Sequence, residues 1–424
     1  MFTSKMLGTL LLCSALSISA QAAKVSVDKV NTKKTKKVKK KKKAKIDKHS
    51  HIASIETGLG YDSNPFLTPS NPYLDLTNNG GGLLIQPVIQ SGMFIPIKAK
   101  GNYEYRLQKD IRLLADIKLD GKFFTDSALK NANQYKTEAH AGARFRLNKY
   151  KRETNHIEVK AIVGNVDRIY VDHDTGELKL TGNNLDKDQS NRYKYTKTGA
   201  ELAYTYKFKK TDFLIQLRYE DRDYEEPESW SSLDHTYSRF KLQGGYQLSK
   251  VLHIGAHYEY ALRDYSKRKS YDIDTTTGDI SLVKPGVNYT YHDVNTYMDY
   301  KVSKAYKTKI GYFLSSRSDD NIGYSDFLYH RITWDNDYKF SKKLRSSLML
   351  KYYVYDYLKA YAFDTSTSLP KKEVSGYKLA FQTKYRINSN IFAKFDLNYH
   401  DALASDKRFE YDETIAMATV KYKF

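Results

Sequence analysis

From Ser50 to the C-terminus, apolar and polar residues alternate at every second position in segments of ten to fourteen residues. In Val251–Asp264 the even positions are Leu252, Ile254, Ala256, Tyr258, Tyr260 and Leu262, while His253, His257, Glu259 and Arg263 stand between them. Successive side chains of a strand point to opposite faces, so a period of two gives one apolar face and one wet face; a helix would need a period near 3.6. Ile111, Leu113, Ala115, Ile117 and Leu119 repeat the pattern against Arg112, Asp116, Lys118 and Asp120. So do Ile391, Ala393, Phe395, Leu397 and Tyr399 against Lys394, Asp396, Asn398 and His400. A tilted membrane-spanning strand needs roughly 9–11 residues, and these segments are long enough.

The connections sort by parity. Short turns fall at Gln108–Asp110, Asn148–Glu153, Lys209–Thr211, Ser249–Lys250, Ser303–Ala305, Ser341–Lys343 and Asn388–Asn390. Long loops rich in Asp, Ser and Gly fall between them, near 125–134, 167–192, 222–234, 265–286, 319–326, 358–373 and 401–410. Short periplasmic turns alternating with long outer loops mark a transmembrane barrel, whereas a soluble sandwich has no reason to sort its loops this way. Seven turns join fourteen strands, and strands at His51–Asp62 and Tyr411–Phe424 make sixteen. The expected fold is therefore all-β, a transmembrane antiparallel up-and-down barrel of about 16 strands, with 14 or 18 as neighbouring counts. The stretch Gly80–Pro96 could extend the second strand, fold into the lumen or form an extra hairpin. Pro87 and Pro96 argue against a fully paired central strand there.

A mean hydropathy of −0.66 would ordinarily suggest a soluble protein. A barrel evades that test, because each strand shows lipid only every second residue. Tyrosine is the outlier, with 38 copies against 2 tryptophans. Amphipathic rings suit the membrane–water interface, where barrels carry aromatic girdles. No apolar run approaches the roughly 18 residues of a membrane helix.

The first 22 residues read as a signal peptide: Lys5 gives a positive start, Leu7–Leu16 an apolar stretch and Ala20-Gln21-Ala22 a small-x-small cleavage site. Cys13, the only cysteine, would leave with it, so no disulfide is expected. Residues 23–50 form a lysine-rich, disordered periplasmic segment, and 51–424 the barrel. Lys24–Lys48 holds 13 lysines against two acids, about half of the formal charge of +21. Alone such a run resembles a nucleic-acid tail. Behind a signal peptide it faces the periplasm, so no nucleic acid is expected. It reads first as a solvated tether with no apolar surface to bury, with peptidoglycan as its expected contact.

The last strand, Thr414-Ile-Ala-Met-Ala-Thr-Val-Lys-Tyr-Lys-Phe424, ends on Phe424 with Tyr422, Val420, Ala418 and Ala416 at alternate positions. This resembles the C-terminal signature of bacterial outer-membrane β-barrel proteins, porins among them. The resemblance implies an outer-membrane location in a Gram-negative cell, insertion by the barrel-assembly machinery reading Tyr422 and Phe424, and contact with outer-membrane lipid and lipopolysaccharide. Gly58-Leu-Gly-Tyr-Asp-Ser-Asn-Pro65 is similar to the end of the first strand in a poorly characterised subgroup of these barrels. Physically, Asp62, Ser63, Asn64 and Pro65 are turn formers that end a strand.

No G-x-S-x-G, P-loop, C-x-x-C or H-E-x-x-H is present, so no enzyme, cofactor or metal site is expected. His253 and His257 lie roughly 13 Å apart along one strand, too far for one metal. Asp172-His173-Asp174 with Asp186 and Asp188 is an acidic loop without the order of a calcium site. Alternation turns Lys98, Lys100, Arg106, Arg112, Lys118, Arg144, Arg146, Arg218, Arg263, Lys384 and Arg386 into the lumen. Inward acids, Glu104, Asp116, Glu158, Glu201 and Glu220 among them, are fewer. Rings of Lys and Arg favour anions. The expected function is an outer-membrane channel with a basic lumen for small anionic solutes or acidic saccharides. Two alternatives stand beside it: export of a surface polysaccharide, with Tyr353, Tyr355 and Tyr357 as stacking residues, and a plugged structural or adhesive barrel whose lumen charges pair. The segment 167–192 is long enough to fold inward as a constriction.

Overall fold

The computed structural model describes residues 48–75, 82–147, 153–181, 187–225, 233–273, 280–362 and 371–424. Sixteen antiparallel strands close into one barrel. They are β1 (His49–Asp62), β2 (Gly92–Arg106), β3 (Ile111–Phe124), β4 (Gln134–Arg146), β5 (Thr154–Arg168), β6 (Tyr195–Phe208), β7 (Thr211–Tyr224) and β8 (His235–Gln247). Then follow β9 (Leu252–Asp264), β10 (Asn288–Tyr300), β11 (Tyr306–Asp319), β12 (Phe327–Lys339), β13 (Leu344–Tyr361), β14 (Lys371–Arg386), β15 (Ile391–Ala404) and β16 (Tyr411–Lys423). Each strand pairs with its chain neighbours, and β1 closes on β16 from Ser54 opposite Lys423 to Asp62 opposite Ile415. The expected class and strand count are those observed. The expected signal peptide and nearly all of the lysine-rich segment lie outside the described residues.

The alternation seen in the sequence becomes two surfaces. Leu113, Ile117, Val159, Val163, Leu202, Leu217, Ile254, Val294, Ile310 and Ile332 are exposed on the outer face, as lipid-facing side chains must be. Near the short turns the exposed outer residues become aromatic: Tyr103, Phe145, Tyr246, Tyr300, Tyr338, Phe340, Tyr385 and Tyr422. Tyr61, Tyr135, Tyr260 and Tyr361 lie outward nearer the long loops. The tyrosine excess thus supplies two rims around an aliphatic belt. Tyr422 and Phe424 meet edge to face at 4.7 Å on this outer surface, beside the closing seam.

One local device recurs at the tight turns. The Ser249 Oγ accepts from the amides of Val251 and Leu252, Ser303 from those of Ala305 and Tyr306, and Ser341 from those of Lys343 and Leu344. Asn388 does the same for Asn390 and Ile391. A short side chain that bonds its own backbone two residues on stabilises a reversal with no packed core around it.

The stretch around Pro96 combines two of the expected alternatives. Pro96 lies inside β2, paired with Lys122 on β3. On its other side the ladder to β1 opens: Ile97 pairs with Thr57 and Phe94 with Gly60, but Ile95 and Pro96 have no register partner. The missing N–H falls in that gap, so the proline costs no ladder bond. Upstream, Tyr73–Asp75 pairs with Leu83–Ile85, which is the extra-hairpin alternative. The turn at 148–152 lies outside the described residues, as do parts of the loops at 225–234, 265–287 and 362–370.

Candidate functional site: the inner wall of the barrel

The wet faces of the strands form an inner wall of three chemically distinct parts. The first is an ion-pair network on β2 to β7. Glu104 receives Arg112 at 2.6 Å and Arg144 at 2.9 Å, and Arg144 also reaches Glu158 at 2.6 Å. Lys160 and His156 complete the shell of Glu158 at 2.8 and 3.2 Å. Farther along, Glu220 is fully buried (0% exposed) among Lys197 at 3.2 Å, Arg222 at 2.7 Å and Arg218. Lys197 also pairs with Glu138, which lies two strands away. Gly164, directly between them in register, makes that reach possible: a Cβ there would stand 2.7 Å from the Lys197 Cε. Buried charges persist only where partners and hydrogen bonds satisfy them, and here each acid is met by two or more cations.

The second part is a band of cations nearer the short turns. Arg345 faces Lys384, and Lys384 faces Lys394 on the next strand. Lys98 and Lys421 flank Glu56 on either side, and Lys100 stands opposite Lys118. Arg106 stands opposite Arg112, itself opposite Arg144. Glu56, with Lys394 at 2.6 Å and Lys421 at 3.8 Å, is the main acid here. Like charges directly opposite each other destabilise a sheet, so folding alone does not favour this row. Among the described residues Lys100, Arg106, Lys118, Arg146, Lys384 and Arg386 make no ion pair, and neither does Arg345. Lys384 lies over the Phe392 ring at 4.5 Å.

The third part is the mouth. β1 ends at Asp62, which is fully buried and bonded to Lys122. The Asn64 amide donates to Asp62 at 2.9 Å; its side chain donates to the carbonyls of Thr68 (2.9 Å) and Asp412 (3.1 Å) and accepts from the Thr68 amide at 2.8 Å. These bonds hold Leu67 at φ 56°, a left-handed conformation that a branched side chain avoids unless its surroundings impose it. The chain then turns inward. Phe66 joins Phe94, Phe124, Leu129 and Val171 in a buried cluster, against the inward Ile415 and Met417. The Phe94 ring can lie there only because Gly60 opposite has no side chain; a Cβ would be 2.4 Å from the ring.

The loop after β5 packs over this one. His173 Nδ1 donates to the Phe66 carbonyl at 2.6 Å, and the Tyr73 hydroxyl to Asp174 at 2.9 Å. Burial pushes the Asp174 carboxyl up, and its Oδ1 has no partner among the described residues. Burial would raise Asp172 as well, but Lys179 and the Asp174 amide hold it below the ordinary value. Burial and the neighbouring Asp174 raise the Tyr73 hydroxyl. The acidic loop is thus engaged in tying two loops together; Asp186 lies outside the described residues.

Of the cations the sequence singles out, Arg112, Arg144 and Arg218 sit inside the ion-pair network, and Lys98 lies 4.0 Å from Asp120. Arg263 covers the Tyr291 ring at 4.9 Å. Sequence reasoning missed Glu138, Lys197, Arg222 and Glu56. Their signal was present in the alternation, since Lys197 shares a face with Glu201 and Lys207, though for Lys197 and Arg222 it is weak so close to a strand end.

No family model matches the chain, and no curated protein matches it. Solved structures do. The chain is similar to the outer membrane channel DcaP of Acinetobacter baumannii at 12% identity, over 89% of this chain and 97% of that one, with a TM-score of 0.46. It is also similar to OmpT, an outer membrane protein of Vibrio cholerae, at 9% identity over 89% and 97%, with a TM-score of 0.45. A bacterial polysaccharide outer membrane secretin matches at 11% identity over 88% and 98%, with a TM-score of 0.41.

Proposed function

We propose that the protein is an outer-membrane channel, not an enzyme, through which small anionic solutes diffuse along a basic inner wall. The observation that carries this reading is the run of inward cations without acid partners, from Lys100 and Lys118 through Arg345, Lys384 and Arg386 to Lys351 and Lys378. Sixteen strands generally enclose an aqueous passage. In a confined passage, unneutralised cations raise the local anion concentration and select against cations. The short turns and both barrel ends would face the periplasm and the long loops the outside. The aromatic C-terminus, Tyr422 and Phe424, would be the segment that the assembly machinery reads, and the lysine-rich segment a periplasmic tether touching the cell wall.

The test is planar-bilayer conductance of the refolded mature protein under a salt gradient. Anion-selective steps support the reading; cation selectivity overturns it. A second reading, a plugged structural barrel, is favoured by one observation, the inward fold of the first loop behind Asp62 and Asn64. A correctly folded but silent barrel would select it.

A further inference from the structure

On β12 to β15 the inner wall changes character. Tyr353, Tyr355 and Tyr357 stand on one face of β13, at every second residue. Tyr329 stacks on Tyr355 with ring centroids 4.1 Å apart and planes at 28°. Tyr355 and Tyr357 are near-parallel at 6.5 Å. Tyr353 shares a 2.8 Å hydrogen bond with His400 Nε2, and the Tyr411 hydroxyl lies 3.3 Å from His400 Nδ1. These rings line a cavity of about 340 Å³ on the inner wall.

Lysines bracket the rings. Lys351 and Lys378 stand directly opposite each other at the end nearer the short turns. Lys372 stands at the end nearer the loops, over the Phe409 ring at 3.3 Å and the Tyr357 ring at 5.1 Å. All three line the same cavity, and among the described residues none makes an ion pair. From Lys372 to Lys378 is six residues along one strand, or roughly 20 Å.

We propose that this wall is a binding track for an acidic saccharide chain, whose sugar rings stack on Tyr355 and Tyr357, backed by the buried Tyr353, while its carboxylates or sulfates meet Lys351, Lys378 and Lys372. The proposal rests on the channel reading and extends its solutes from small anions to an acidic chain. Aromatic faces offer flat, sequence-tolerant platforms for rings, and phenol hydroxyls add hydrogen bonds at their edges. Charge without rings would suit any small anion. Rings without charge would suit a neutral sugar. Here the two charged ends lie farther apart than one small solute can span, which selects a chain.

The experiment uses the full mature protein in planar bilayers, with an oligogalacturonate as probe and a neutral maltooligosaccharide of equal length as control. The oligogalacturonate should interrupt the ionic current, and the neutral chain should do so at least about tenfold more weakly. Tyr355→Leu should weaken the block about tenfold, the size expected from losing one stacking platform. The Lys351→Gln/Lys378→Gln double variant should reduce the preference for the acidic chain. A heat-modifiable gel shift confirms that each variant is folded. Calorimetric titration of the detergent-solubilised barrel reads binding without current. Binding heat in a silent barrel would keep the track and remove the channel. Current that neither probe interrupts, with no heat, would keep the channel and remove the track. Equal block by both probes, or a block indifferent to Tyr355→Leu, would also overturn the proposal.

Discussion

Lys351 and Lys378 stand directly opposite each other on neighbouring strands, both facing the lumen, with no carboxylate paired to either among the described residues. An opposed pair of like charges costs a sheet up to about 1 kcal/mol. Replacing one member therefore separates stability from selectivity. Lys378→Gln should raise the urea midpoint of the refolded barrel slightly while lowering the anion-to-cation permeability ratio. If the ratio is unchanged, this pair does not sense the permeating ion.

Glu220 makes the opposite case. It is the shared partner of Lys197, Arg218 and Arg222, and no water reaches it. Glu220→Gln would strip Arg222 of its carboxylate and leave Lys197 and Arg218 to lean on Glu138 and Glu201; breaking a buried charge set by removing one partner costs about 3–5 kcal/mol. Urea unfolding followed by tyrosine and tryptophan fluorescence should show a clear loss. Glu201→Gln, which removes a single contact of 3.5 Å to Arg218, should cost much less.

Asn64 holds the inward turn of the first loop by three side-chain hydrogen bonds, each worth about 0.5–1.5 kcal/mol. Asn64→Ala should release Phe66 from its cluster without opening the barrel. Limited proteolysis should then cut between Phe66 and Tyr73, where the native protein should resist, and single-channel conductance should increase. Resistance equal to that of the native protein would mean that the Phe66 cluster and the bonds from His173 and Asp174 hold the loop without Asn64.

The mouth should also respond to pH. Burial raises Asp174, so the docked loop binds that proton more tightly than a free one. Its contribution is complete below the ordinary Asp value, near pH 4, and is lost as pH rises through the raised value. Asp172 runs the other way: Lys179 holds it low against burial, so its contribution stands above pH 4 and is lost as pH falls through the lowered value. The hydrogen-exchange protection factors of residues 169–178, corrected for the intrinsic pH dependence of exchange, should rise as pH drops toward 4 and fall again below it. Asp174→Asn keeps an acceptor for Tyr73 and should abolish the first of these changes.

The strands were legible because their signal is local. A period of two, a serine or asparagine at five of the seven tight reversals, and loops sorted by length fix the strand count without any long-range information. The mouth was not legible. Asp62 and Asn64 read as residues that end a strand, which they do, but their partners Lys122 and Asp412 come from strands distant in sequence. Nor did alternation show which inward cations are neutralised. It placed Arg218 and Lys384 on the same surface, yet one lies among three acids and the other faces only cations. That difference depends on which residues of neighbouring strands stand opposite each cation, and no single segment carries it.

The closing seam has a consequence for the order in which the chain can fold. Ser54 to Asp62 must find Ile415 to Lys423, the most widely separated partners in the barrel, across nearly the whole barrel sequence. Bringing such distant segments together carries the largest loop-closure cost of any pairing here. Until the last strand is made, β1 and β15 are two bare edges, each a template for another chain. A chain truncated before Tyr411 would therefore present two sticky margins rather than a slightly smaller cylinder.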